Sequence, residues 1–192
     1  MLFCLFSSSI LFCQNKKMTQ YLDYNGKEIT QQQFNSYDKT KVFEKIIEND
    51  SIVIKKIFLV KVIASLDSIQ LQKLNNFLTE TLENRFDKNK NTLIHLYNQN
   101  NNKIYKDLKN KKYWKYIKSI SGEFQSFMIG TKNSQINEDK NIGIYIDKND
   151  LLYDSFFKDF GFQINHLLIK PNGDIYIYYG VEDIIYVLDY SI

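Results

Sequence analysis

His95 and His166 are the only imidazoles in this chain of 192 residues, and Cys4 and Cys13 are its only thiols. Imidazole changes charge near neutral pH and is the commonest metal ligand. Neither histidine belongs to an HxxH or HExxH spacing, so the pattern argues against a structural or catalytic transition-metal site. Asp147, Asp150, Asp154 and Asp159 flank or lie on one predicted helix, the first three at helical spacing. Such a set suggests a carboxylate pair or a calcium site. A DxDxDG loop with a distal Glu is missing, and helix capping with a solvated face accounts for the same residues. Nothing in the chain matches GxSxG, the P-loop or GxGxxG. The motifs therefore give no support to a hydrolase, a nucleotidyl enzyme or a dehydrogenase.

Two further stretches carry binding chemistry. Asn98, Gln99, Asn100, Asn101 and Asn102 form a carboxamide run between a strand-like segment and a lysine-rich one. Exposed amides can pair with a peptide backbone or a glycan, and a solvated loop is the plainer reading. The stretch "KIYKDLKNKKYWKYIK" holds Lys103, Lys106, Lys109, Lys111, Lys112, Lys115 and Lys118 against one aspartate, in a chain whose net charge is only +3. Lysines interleaved with Tyr113, Trp114 and Tyr116 suit single strands or an anionic membrane surface. The alternative is an amphipathic helix with Trp114, Ile117 and Ile120 turned inward. Arg85 is the only arginine, so bidentate base and phosphate contacts are nearly absent and specific nucleic-acid binding is not expected. Weak adsorption of these lysines to anionic surfaces is.

The elements that must position these residues follow from periodicity. Hydrophobic residues make up 44% and aromatics 15% of the chain, enough apolar surface to offset chain entropy in one globular domain with a small N-terminal addition. The opening "MLFCLFSSSILFCQ" is uncharged and too short to span a bilayer, and it reads as a signal peptide over residues 1–14 that lacks its basic start. Export to the periplasm or beyond is expected, and removal of that segment would leave no thiol. Met18 is an alternative start, and a buried N-terminal strand a further reading.

Asn25-Gly26 predicts a hairpin, and Thr30 with Gln33 a capping box opening a short helix through Phe34. The β-branched runs on either side of Asn49-Asp50, with Val42, Ile46, Ile52, Ile54 and Leu59, predict two strands. Ile69, Leu71, Leu74, Phe77, Leu78 and Leu82 predict one helical stripe. Beyond it the pattern gives a strand at 92–97, a helical region at 103–120 and a strand at 124–129. A polar loop "TKNSQINEDKN", a strand in "IGIYID" and a helix capped by Asn149 or Asp150 come next. A hairpin across "PNGD" and a last helix close the chain.

From Phe160 to Leu188, "FGFQINHLLIKPNGDIYIYYGVEDIIYVL" resembles the C-terminal half of thioredoxin-like redoxins: strand, Gly turn, paired strand, Gly, helix. "YLDYNGKEIT" likewise looks like the opening hairpin of the larger redoxins. The resemblance implies an α/β fold, a thioredoxin-like sheet flanked by helices over 92–192, with an N-terminal β-hairpin, strand and helix extension over 15–91. It also places the loop after the first strand beside the segment before the hairpin.

The redox chemistry of that family is missing. Where its CxxC would open the first helix, this chain has Asn98 to Asn102. Where its cis-proline would precede the strand "HLLIK", it has Gln163, Ile164 and Asn165, and Pro171 in the hairpin turn is the only proline. The expectation is a degenerate, non-catalytic redoxin without a cofactor. Its candidate binding surface for a protein or peptide partner comprises Asn98, Gln99, Asn100, Asn101, Asn102, Ile164, Asn165 and His166. The alternatives are an enzyme of unrecognised type using carboxylates and His166, and a cytoplasmic interaction or immunity-type protein starting at Met18.

Overall fold

In the computed structural model, residues 17–99 and 102–189 are described. The signal-peptide expectation, both cysteines, Asn100 and Asn101 lie outside them. Two compact units divide the chain between Phe58 and Leu59.

The first unit is a four-stranded sheet in the order β2-β1-β4-β3. Its strands are β1 (Met18–Leu22), β2 (Glu28–Ile29), β3 (Val42–Glu48) and β4 (Ile52–Leu59). The β1–β2 hairpin turns at Gly26, whose φ of +81° favours glycine. The Asp23 carboxylate steadies the turn by accepting from the N–H groups of Asn25 and Lys27. Helix α1 (Gln31–Asn35) starts from the expected capping box: Thr30 and Gln33 each donate a backbone N–H to the other's side chain. It buries Phe34 edge-on against Tyr21, with ring centroids 5.1 Å apart. Parallel pairing of β1 with β4 completes the unit. Ile46, expected among the apolar strand positions, is 52% exposed, because β3 buries only its start.

The second unit is a six-stranded mixed sheet in the order β5-β10-β9-β6-β7-β8. It contains β5 (Lys61–Ser65), β6 (Asn91–Tyr97), β7 (Phe124–Thr131), β8 (Ile144–Asp147), β9 (Ile164–Ile169) and β10 (Asp174–Tyr179). Strands β6, β7 and β8 run parallel. β9 is antiparallel to both β6 and β10, and β5 is antiparallel to β10. The strands at 92–97 and 124–129 and the two strands of the "PNGD" hairpin, which the family resemblance puts in one sheet, share it. The expected boundary at residue 91 moves, because β5 extends this sheet and α2 (Ser68–Leu82) packs into its core.

Helices cover both faces. Leu74, Leu78 and Leu82 of α2 and Leu152 of α5 (Leu151–Phe156) meet Ile94, Leu96, Ile129 and Leu167 on one face. On the other face, Leu93, Tyr97, Met128 and Leu168 meet α3 (Lys103–Leu108), α4 (Lys111–Ser119) and α6 (Ile184–Asp189). Each such fully buried aliphatic side chain contributes about 1.5–3 kcal/mol of transfer free energy. The α2 stripe is narrower than its spacing implies, since Ile69 is 63% exposed. The lysine-rich region is two helices: the chain breaks at Lys109 and Asn110, and the Asn110 side chain caps α4 by accepting from Tyr113 N–H. Its apolar side turns inward as expected, with Ile117 buried and Trp114 and Ile120 half-buried. The loop after β7 contains a 3₁₀ turn at Lys132–Ser134 and buries Ser134 and Ile136, which the polar reading overlooked.

Candidate functional site

Backbone geometry joins the β6–α3 junction to the segment ahead of β9. Asn98 N–H donates to Gln163 C=O at 2.8 Å, and Thr131 Oγ1 donates to the Asn98 side-chain oxygen at 3.3 Å. Beside this link a cleft of about 350 Å³ is lined by Asn102, Lys103, Lys106, Gln163, Ile164 and Glu182. Gln99, Asn102 and Gln163 are exposed. The other half of the expected surface is corrected: Ile164, Asn165 and His166 are 2%, 0% and 0% exposed. They lie on β9, paired on both sides and covered on both faces, so their amides serve the sheet. Asn165 accepts only a long 3.4 Å bond from Gly180 N–H, and its Nδ2 has no partner among the described residues.

The single aspartate of the lysine-rich stretch points inward. Asp107 is buried, accepts from Tyr97 Oη at 2.9 Å and from Lys103 Nζ at 3.2 Å. Trp114 Nε1 donates to its backbone carbonyl. Burial raises the Asp107 carboxyl above its usual range, against the lowering effect of Tyr97 and Lys103. Burial and the neighbouring Asp107 raise the Tyr97 hydroxyl likewise. Lys106, Lys109, Lys111, Lys112, Lys115 and Lys118 are exposed and make no ion pair among the described residues.

Sequence reasoning missed a buried chain of polar groups built on the two histidines. His95 on β6 and His166 on β9 are direct cross-strand partners, which places their side chains on the same face. Their Nδ1 atoms are 2.7 Å apart. His166 Nε2 lies 2.6 Å from Val181 C=O, His95 Nε2 lies 2.5 Å from Tyr113 Oη, and Tyr113 Oη lies 2.6 Å from Ser126 Oγ.

One proton arrangement satisfies every contact between neutral rings. A carbonyl only accepts, so His166 carries its proton on Nε2 and accepts at Nδ1. His95 must then donate from Nδ1 and accept at Nε2 from the Tyr113 hydroxyl, which in turn accepts from Ser126. Burial, with His166 and Lys103 adding to it, holds His95 well below the usual histidine range. Burial brings His166 down to about 4, despite the opposing Val181 bond. Burial also raises the Tyr113 hydroxyl. The available signal was that both histidines of the chain fall in strands expected to share a sheet, His95 between Ile94 and Leu96 and His166 just ahead of Leu167 and Leu168. Their register was not readable.

The carboxylate set does not converge. Asp147 is buried at the end of β8, where its two oxygens accept from Leu151 and Leu152 N–H at 3.0 and 2.7 Å. It therefore supplies the cap of α5 expected from Asn149 or Asp150. Burial raises its carboxyl, and those bonds oppose the rise. Asp150 has a φ of 52° and accepts from Lys132 N–H at 2.7 Å. Among the described residues no three His, Cys, Asp or Glu side chains gather where a metal could be held, and no helix is long and apolar enough to cross a membrane. Neither a family model, a curated protein nor a solved structure gives a significant match to the chain.

Proposed function

We propose that this chain is a non-catalytic, thioredoxin-like binding module that holds an extended protein or peptide segment at the β6–α3 junction. The strand order β10-β9-β6-β7, with β6 and β7 parallel and β9 antiparallel to both its neighbours, supports the thioredoxin-like reading. The observation that carries the binding reading is the Asn98–Gln163 backbone bond beside the cleft. It sets two segments side by side at the place where the family resemblance puts substrate contact. The rim carries carboxamides at Asn102 and Gln163, a cation at Lys106 and an anion at Glu182, beside Lys103, which pairs with Asp107. Groups of both signs with amides suit a peptide backbone, where each main-chain hydrogen bond contributes about 0.5–1.5 kcal/mol net. The alternative enzyme reading draws no support from His166, whose ring nitrogens are both engaged in the interior.

Binding of a carboxymethylated, permanently unfolded protein chain tests this reading. The wild type should bind it weakly and saturably. The triple variant Lys106→Glu, Gln163→Ala, Glu182→Lys should lose binding at an unchanged melting temperature, because all three positions are exposed. Equal binding by the two proteins would remove the peptide-site reading. Insulin reduction above background would remove the non-catalytic one.

A further inference from the structure

A second concavity lies between α4 and α6, and it is independent of the β6–α3 junction. These helices pack on the same sheet face through Tyr113 and Ile117 and through Ile184, Val187 and Leu188. Their outer flanks leave a groove of about 700 Å³, lined among others by Lys112, Lys115 and Tyr116 of α4 and by Ile185, Tyr186 and Leu188 of α6. Tyr116 and Tyr186 are 37% and 58% exposed, so aromatic surface faces open water on both sides. The volume falls within the range of small-molecule sites, about 300–1,000 Å³.

The cations stand on one rim only. Lys112, Lys115 and Tyr116 are three and four residues apart and share one side of α4. Neither lysine is ion-paired among the described residues, α4 itself contains no acidic residue, and none of the described lining residues is acidic. Asp107, the one carboxylate in the stretch, is buried against Tyr97 and Lys103. An apolar trough with unneutralised ammonium groups along one edge is complementary to a molecule with an apolar body and one anionic head. A flat bilayer surface would not fill the concavity, and a nucleic acid would leave its aliphatic wall unused.

We propose that the α4–α6 groove binds a free amphiphilic anion, a single-chain carboxylate whose apolar tail lies against Tyr116, Ile185, Tyr186 and Leu188 while its head meets Lys112 and Lys115. The test is calorimetric titration of the full chain with dodecanoate below its micelle concentration, beside dodecanol and vesicles of anionic phospholipid. Amide chemical-shift mapping locates the site. Dodecanoate should bind one to one, with shifts confined to α4 and α6. Lys112→Glu with Lys115→Glu should weaken it at least about tenfold, because each ammonium that meets the carboxylate head becomes a like charge. Lys109→Glu with Lys118→Glu, the same charge change away from the groove, should leave it within about twofold. Tyr186→Ser, at an exposed position, should weaken the tail contact without unfolding the chain. The proposal is overturned by absence of saturable binding, by equal affinity for dodecanol, by equal loss in both lysine pairs, or by binding to vesicles alone.

Discussion

Acidification from about pH 7.5 to about pH 5 should weaken the fold through His95 and His166, the chain's only histidines. Inside the folded protein both rings are neutral, His95 held well below the usual range and His166 brought down to about 4, chiefly by burial. In the unfolded chain each ring takes a proton near its ordinary value of about 6.5. Because the folded value lies below the unfolded one, the contribution is intact above about pH 6.5 and is lost as the pH falls from there toward about 4. At roughly 1.4 kcal/mol per pH unit, His166 alone accounts for about 2 kcal/mol by pH 5 and about 3 kcal/mol at the bottom of the window. His95 adds loss of the same sign. Asp107 and Asp147, raised by burial, act oppositely, since the folded state then binds their protons more readily. Urea unfolding followed by circular dichroism across this range, for the wild type and His166→Asn, separates the contributions. Asparagine keeps an acceptor for His95 Nδ1 but does not titrate, so its pH slope should be about half that of the wild type between pH 6 and pH 5. A flat wild-type profile, or the same slope in both proteins, would refute the reasoning.

Removing the buried hydroxyl in Tyr97→Phe should cost about 1–3 kcal/mol, because Asp107 keeps its burial and loses a donor; chemical denaturation measures it. Asp147→Ala should cost about 1–2 kcal/mol and speed hydrogen exchange at the Leu151 and Leu152 amides. Gly180→Ala should destabilise by at least about 1–2 kcal/mol, since φ there is +65° and a Cβ would sit 2.6 Å from Phe162 Cδ1. Asn165→Leu should leave stability within about 1 kcal/mol or raise it, because it removes an unpartnered buried amide. A loss of several kcal/mol there would mean that Asn165 has a partner.

Local chemistry made much of the fold legible. The capping box at Thr30 and the glycine turns at Gly26 and Gly173 act over a few residues and stand where their patterns put them. So do the nearly continuous apolar runs of β6 and β9, both of whose faces are buried. Properties set by distant segments were harder to read. Ile69 fits the helical stripe and is still exposed, because a helical stripe is buried only as far as its neighbours extend. Asp147 rather than Asp150 caps α5, because Asp150 adopts a left-handed conformation and bonds Lys132 instead. The candidate surface was half legible for the same reason. The β6–α3 loop and Gln163 meet as expected, but the depth of Asn165 and His166 depends on β10 and β5 continuing the sheet beyond β9.

The histidine pair bears on how the molecule uses its polar interior. Five segments meet in it: β6, β9, β7, α4 and the turn after β10, through His95, His166, Ser126, Tyr113 and Val181. A general base must hold a free lone pair within reach of a substrate and a pKa near the working pH. Here both His95 nitrogens and both His166 nitrogens are engaged, neither ring is exposed, and protonation of the pair is opposed across the neutral range. A proton added at His166 Nδ1 would set two N–H groups facing each other across 2.7 Å. The arrangement works instead as a lock. Loss of any internal member leaves a buried donor or acceptor unpaired at about 1–3 kcal/mol, and the lock fixes α4 against the sheet through Tyr113. The same helix turns Lys112, Lys115 and Tyr116 outward to the groove, so the hydrogen-bond chain on its inner side holds the proposed binding wall in place. It follows that acidification should loosen α4 and the dodecanoate site together, as the two sides of one helix.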